Sequence, residues 1–161
     1  MKKILRLIFL SFILLSLTAC GEKKELSQES MYKVLSDKGF SINDFSKQME
    51  DKNIKTVYVA NNGDYDIECY IFNKDSDAKD AFNGNVSTFE SDSKTKGKKS
   101  SKDNYDSYTQ KLSDTYNSVT RVGKNLIYAS INIEYKNDFI SVLKALTKQM
   151  NINIKKLGLD K

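Results

Sequence analysis

The dipeptide Asn62-Gly63 lies between two runs of β-forming residues, Ile54 to Ala60 and Tyr65 to Phe72. Asn-Gly is the favoured centre of a type I′ turn, because both positions tolerate left-handed backbone angles. The spacing therefore predicts a β-hairpin in which Ala60 meets Tyr65, Tyr58 meets Ile67 and Val57 meets Glu68. Side chains alternate across a strand. One face then carries Ile54, Tyr58, Ile67, Cys69 and Ile71, and reads as the core face. The other carries Lys55, Val57, Val59, Asp66, Glu68, Tyr70 and Phe72.

Three more strands are expected over about 104–112, 115–122 and 126–134, with tight turns at Ser113-Asp114 and Gly123-Lys124. Ile127, Ala129, Ile131 and Ile133 alternate as a buried face does. Connections this short join antiparallel neighbours, since a parallel pair needs a crossover of a dozen residues or more.

Helical signals flank these strands. Ser27 has the form of an N-cap, with Leu26 and Met31 placed as a hydrophobic staple. Met31, Val34 and Leu35 continue the apolar stripe and Gly39 can end it, which predicts a helix over about 28–38. Residues 41–50 read as a second short helix, with Phe45 and Met49 one turn apart. Asp75-Ser76-Asp77 can cap a helix with the stripe Ala78, Ala81, Phe82, Val86 and Phe89, although Gly84 weakens its middle. Asn137 or Asp138 opens a last helix, with Phe139, Val142, Leu143, Leu146 and Met150 on its inner face. The segment at about 91–103 has no apolar residue and reads as a flexible Lys-rich loop. The expected fold is α+β: a two-layer sandwich, with an antiparallel sheet of about five strands and helices packed on one face.

The first 21 residues obey different rules. Lys2, Lys3 and Arg6 precede an apolar run from Leu7 to Leu17, interrupted only by Ser11 and Ser16. Those 11 residues are too few for a span that needs about 20. A cationic start, a short apolar middle and small residues before a cut define a secretory signal. Leu17-Thr18-Ala19-Cys20 closes it, and this passage resembles the lipobox of bacterial lipoproteins. The resemblance covers residues 1–21. It implies removal of residues 1–19, a diacylglyceryl group on Cys20, and a domain held at the outer face of the cytoplasmic membrane. Two acyl chains anchor a protein stably where one does not. Residues 20–26 then form a short polar tether, and 27–161 a single domain. At about 3.4 Å per extended residue, the tether keeps that domain within roughly 20 Å of the bilayer.

Charge and composition narrow the function. Three of the 26 basic residues lie in the cationic start, leaving 23 against 21 acidic ones, so the domain is nearly balanced. Such a balance gives no footprint for nucleic acid. The chain has no His, Trp or Pro. Without His, the commonest general base and metal ligand are missing. Cys69 has no intrachain partner if Cys20 is lipidated, and reads as a small core residue.

Three motifs invite chemistry. Ser-x-x-Lys recurs, as at Ser30/Lys33, Ser76/Lys79, Ser91/Lys94 and Ser141/Lys144, but the companion motifs of penicillin-recognising enzymes are absent. Asn73, Asp75 and Asp77 have the first spacings of a calcium loop, yet its required Gly and Glu are Ala78 and Gly84 here. Neither a metal site nor a cofactor is expected, and the chain reads as non-catalytic. Lys94, Lys96, Lys98, Lys99 and Lys102 form the one dense basic cluster. It reads as a solvated segment, or as a contact with anionic lipid or wall polymer.

Register carried through the C-terminal turns puts Tyr108, Val119, Arg121, Leu126 and Tyr128 opposite the core face, beside Tyr70 and Phe72. If open, Tyr70, Phe72, Tyr108, Arg121 and Tyr128 make an aromatic platform suited to a sugar or peptide. The function expected is a lipid-anchored envelope protein that binds or scaffolds. The alternatives are a small-ligand module on that platform, or an immunity or inhibitor protein against a toxin or wall hydrolase.

Overall fold

A computed structural model describes residues 25–102 and 104–152. The lipobox, including Cys20, lies outside the described residues. Helix α1 (Gln28–Asp37) opens the domain as expected: the Ser27 side chain accepts from the Ser30 amide, and Leu26 and Met31 are both buried. Gly39, at φ 84°, turns the chain out of the helix.

Among the described residues the sheet has seven strands, all antiparallel: β1 (Ser41–Asp44), β2 (Ile54–Asn61), β3 (Asp66–Phe72), β4 (Lys98–Lys102), β5 (Tyr105–Lys111), β6 (Thr115–Val122) and β7 (Asn125–Asn132). Their spatial order is β1-β2-β3-β7-β6-β5-β4. The α+β class and the antiparallel sheet follow the sequence pattern, but the strand number does not. The two additional strands are the edges. Residues 41–44, expected in a helix, pair instead with the open edge of β2. Asp44 closes that strand by accepting from the Ser46 amide (2.9 Å) and hydroxyl (2.5 Å). Those bonds hold its carboxyl below the usual carboxylate range. Residues 98–102, expected in a loop, pair with β5. Both edges are polar and carry no strand pattern; main-chain hydrogen bonds hold them.

The hairpin between β2 and β3 is longer than a two-residue turn. Ala60 pairs with Ile67 and Tyr58 with Cys69, a shift of two residues from the expected register. The Asn62 side chain accepts from the Asp64 and Tyr65 amides (both 3.1 Å) and builds a four-residue loop over 62–65. A slip of two keeps every side chain on its face. A bulge between Ile54 and Thr56 then turns Ile54 to the face opposite Tyr58.

Helices cover both faces, so the expected two layers are three. On one face, α1 and α3 (Lys136–Gln149) enclose the larger core: Met31, Leu35, Ile67, Ile127, Phe139, Leu143 and Leu146 are fully buried. On the other, α2 (Asp75–Ser91) lays Ala78, Phe82, Val86 and Phe89 on Phe72, Tyr108, Val119 and Leu126. The Asp75-Ser76-Asp77 cap is not formed. Lys74 is the N-cap, without a side-chain bond, and Asp75 and Asp77 sit in the first turn.

The core holds groups that must stay neutral. Burial pushes the Cys69 thiol up from 9.0 to about 12, with the Glu68 charge adding to it. Burial likewise pushes the Tyr116 and Tyr65 hydroxyls up from 10.0 to about 12. A raised pKa on an acid means that folding favours the protonated form. That stability is complete below the unfolded values near 9 and 10, and is lost as pH rises through 12. The urea midpoint at pH 11 is expected to fall well below that at pH 8, and tyrosine absorbance at about 295 nm to lag free tyrosine. Equal midpoints would refute the assignment.

Candidate functional site

The register places Tyr70, Phe72, Tyr108, Arg121 and Tyr128 on one sheet face. That face is not an open platform. Tyr108 is 1% exposed, and Phe72 and Arg121 are 5% exposed, beneath or beside α2. Phe89 of α2 stacks on Tyr108 (6.1 Å between centroids) and on Tyr128 (5.5 Å). Arg121 is occupied: its Nε lies 2.6 Å from Asp106 Oδ2, and Nη1 donates to the Gly123 carbonyl at 3.1 Å. Three of the five platform residues are therefore structural. The apolar stripe of α2 needs a partner, and this aromatic face supplies it.

Beyond the C-terminal end of α2 a polar ladder crosses the same face. Ser130 donates to Asn117 (2.7 Å), Asn117 to Gln110 (2.9 Å), and Gln110 to the carbonyls of Phe89 (3.0 Å) and Thr95 (2.6 Å). The Gly97 amide donates to the Tyr108 hydroxyl at 2.9 Å. These bonds satisfy a helix end and tie the chain into β4. The five lysines of the basic cluster are all exposed. Lys94 and Lys96 precede β4, and Lys98, Lys99 and Lys102 lie on it. Lys99 sits over the Phe82 ring, 5.4 Å from its centroid. Lysines on an outermost strand discourage pairing with another chain.

What remains open on the aromatic face is a cleft of about 230 Å³ at the flank of α2. Tyr70, Phe72, Leu126 and Tyr128 line it from the sheet, with Ile54 brought in by the β2 bulge. Ala81 and Asn85 line it from the helix and Asp51 from the loop before β2. Glu68 stands inside, half-buried, and accepts a hydrogen bond from the Tyr70 hydroxyl. Burial, and then the Glu68 carboxylate, push the Tyr70 and Tyr128 hydroxyls above their usual range. The Asn85 amide donates to the Ala81 carbonyl (2.9 Å), and its oxygen takes no hydrogen bond from a described residue. Sequence alternation puts Glu68 on this face. Nothing in it singles out Asn85 or Asp51, because their approach depends on where α2 and a loop settle.

The other motifs resolve into structure. Among the described residues no group of three or more His, Cys, Asp or Glu could hold a metal. Asn73 donates to the Lys52 carbonyl (2.8 Å), joining two connections rather than facing a cation. Ser141 accepts from Lys38 (3.1 Å) rather than from Lys144. Cys69 is free and fully buried. No helix among the described residues is long and apolar enough to cross a membrane.

No family model matches the chain, and no curated protein matches it. Among solved structures, a GTP binding regulator from Thermotoga maritima aligns at a TM-score of 0.46 with 11% identity, over 77% of this chain and 87% of that one.

Proposed function

We propose that this is a lipid-anchored, extracytoplasmic envelope protein that binds or scaffolds without catalysis at the outer face of the cytoplasmic membrane. The observation that carries this reading is the run from Lys2 to Cys20: charge, apolar length and the Leu17-Thr18-Ala19-Cys20 box agree. The position of the tether supports it. Leu26, six residues after Cys20 in the sequence, is buried. Glu25 lies 3.8 Å from Lys124 in the β6–β7 turn, at the end of the sheet where α2 begins, which supports a tether that reaches the domain from that end. Of the basic cluster, Lys102 shares that end, level with Val122 and Asn125. Contact with anionic lipid would therefore start at Lys102, each lysine near the surface adding about 1 kcal/mol.

Labelled palmitate fed to producing cells is expected to mark the wild-type protein and not Cys20→Ser. Equal labelling of both would end the lipoprotein reading.

The second reading is a small-ligand module, and the cleft beside α2 favours it. It combines apolar walls, two tyrosines and a half-buried carboxylate, the usual make-up of a pocket that binds small molecules. An immunity or inhibitor role would use the same anchored domain with a protein partner.

A further inference from the structure

We infer that the cleft beside α2 takes the head group of a compact organic ammonium ion. This rests on reading the cleft as a ligand site, and adds the chemistry of the ligand.

Charge is the first argument. Glu68 lies in mid-sheet between Val59 and Tyr128. A half-buried carboxylate there loses hydration that a partner must replace. One oxygen accepts from Tyr70; the other takes no hydrogen bond from a described residue. The ion pairs among the described residues join Lys33 to Asp37, Arg121 to Asp106, and Lys124 to Glu25. Glu68 has no cation among the described residues. Asp51, at the cleft wall, accepts from the Asn53 amide and has none either. Among the described residues the cleft thus holds the half-buried Glu68 carboxylate, the exposed Asp51 carboxylate at its wall and the Asn85 oxygen, and no positive charge.

The walls are the second argument. Tyr70 and Tyr128 flank Glu68; one face of Tyr70 stacks on Phe72 and one face of Tyr128 on Phe89, so the rings offer a cation their remaining faces and edges, and such contacts are strongest when the cation has left water. Ile54 and Ala81, both partly exposed, supply apolar surface for a carbon chain. An anion would meet two carboxylates; a neutral sugar could donate hydroxyls to them but would leave their charge uncompensated.

Size is the third. About 230 Å³ lies below the 300–1,000 Å³ typical of drug-sized sites, so the cleft suits a head group rather than a whole large ligand. A primary or quaternary ammonium on a short carbon chain satisfies the charge, rings and volume together.

The test is an amide NMR titration of the full-length lipidated protein in non-ionic detergent. The probes are n-butylammonium chloride, n-butanol and methyl α-glucopyranoside, at matched chloride. Saturable shifts at Glu68, Tyr70, Asn85 and Tyr128 are expected with n-butylammonium, at least tenfold tighter than with n-butanol. Glu68→Gln should remove that preference, while Ala81→Leu, which fills the cleft, should weaken both probes. The variant spectra report folding, and the contrast between probes is read on the wild type. Equal binding of the amine and the alcohol, or shifts with the sugar alone, would overturn the ammonium and leave the cleft as a ligand site. No saturable shift with any probe would overturn both.

Discussion

Asp106→Ala is expected to destabilise the domain by about 3–5 kcal/mol, and Arg121→Ala by a similar amount. The two residues face each other across β5 and β6, with side chains 8% and 6% exposed and 2.6 Å between Nε and Oδ2. Removing either partner leaves the other charge in a site that excludes water. The lost attraction is the smaller part of the cost; the stranded ion is the larger. The double replacement Asp106→Leu/Arg121→Met should therefore cost far less than the sum of the singles, and can fall near zero. Urea midpoints of the four proteins close the cycle. Additive costs would show that the pair does not interact, and single losses below about 1 kcal/mol would show that water reaches it.

The same pair shows where the sequence stops being informative. Alternation identifies the face of Arg121, and turn lengths give its register, because two-residue connections leave no freedom. They do not say that the face is covered. Both the stripe of α2 and the aromatic face are apolar, and each by itself suits either a buried contact or an exposed one. The helix joins β3 to a strand at the far edge of the sheet, and no local signal in that connection chooses a face. The fold is legible where geometry is local: the Ser27 cap, the Leu26–Met31 staple, the turns at Ser113-Asp114 and Gly123-Lys124, and the inner face of α3. It is illegible at β1 and β4, where polar residues become strands because neighbouring strands offer unpaired main-chain groups. The cleft is half legible. Glu68, Tyr70 and Tyr128 follow from alternation, while Asn85, Asp51 and the turned Ile54 depend on tertiary placement and a bulge.

Phe82→Ala is the second large effect. Phe82 is fully buried at the centre of the α2 stripe, and truncating such a ring costs about 3–5 kcal/mol. The comparison that gives it meaning is Phe139→Ala, which empties an equally buried site under α3 on the other face. Both variants should lower the urea midpoint to a similar extent. They should differ at the cleft. Ala81 and Asn85 belong to the helix that Phe82 holds down, so a loosened α2 widens the cleft and weakens n-butylammonium binding at least severalfold. Phe139 lies in the core on the opposite face of the sheet and is not among the residues that line the cleft, so Phe139→Ala should bind as the wild type does while the protein remains folded. Equal loss of binding in both would mean that the cleft depends on global stability. A loss of less than about 1 kcal/mol in Phe82→Ala would mean that α2 is held mainly by its polar end, through Gln110 and the Phe89 carbonyl.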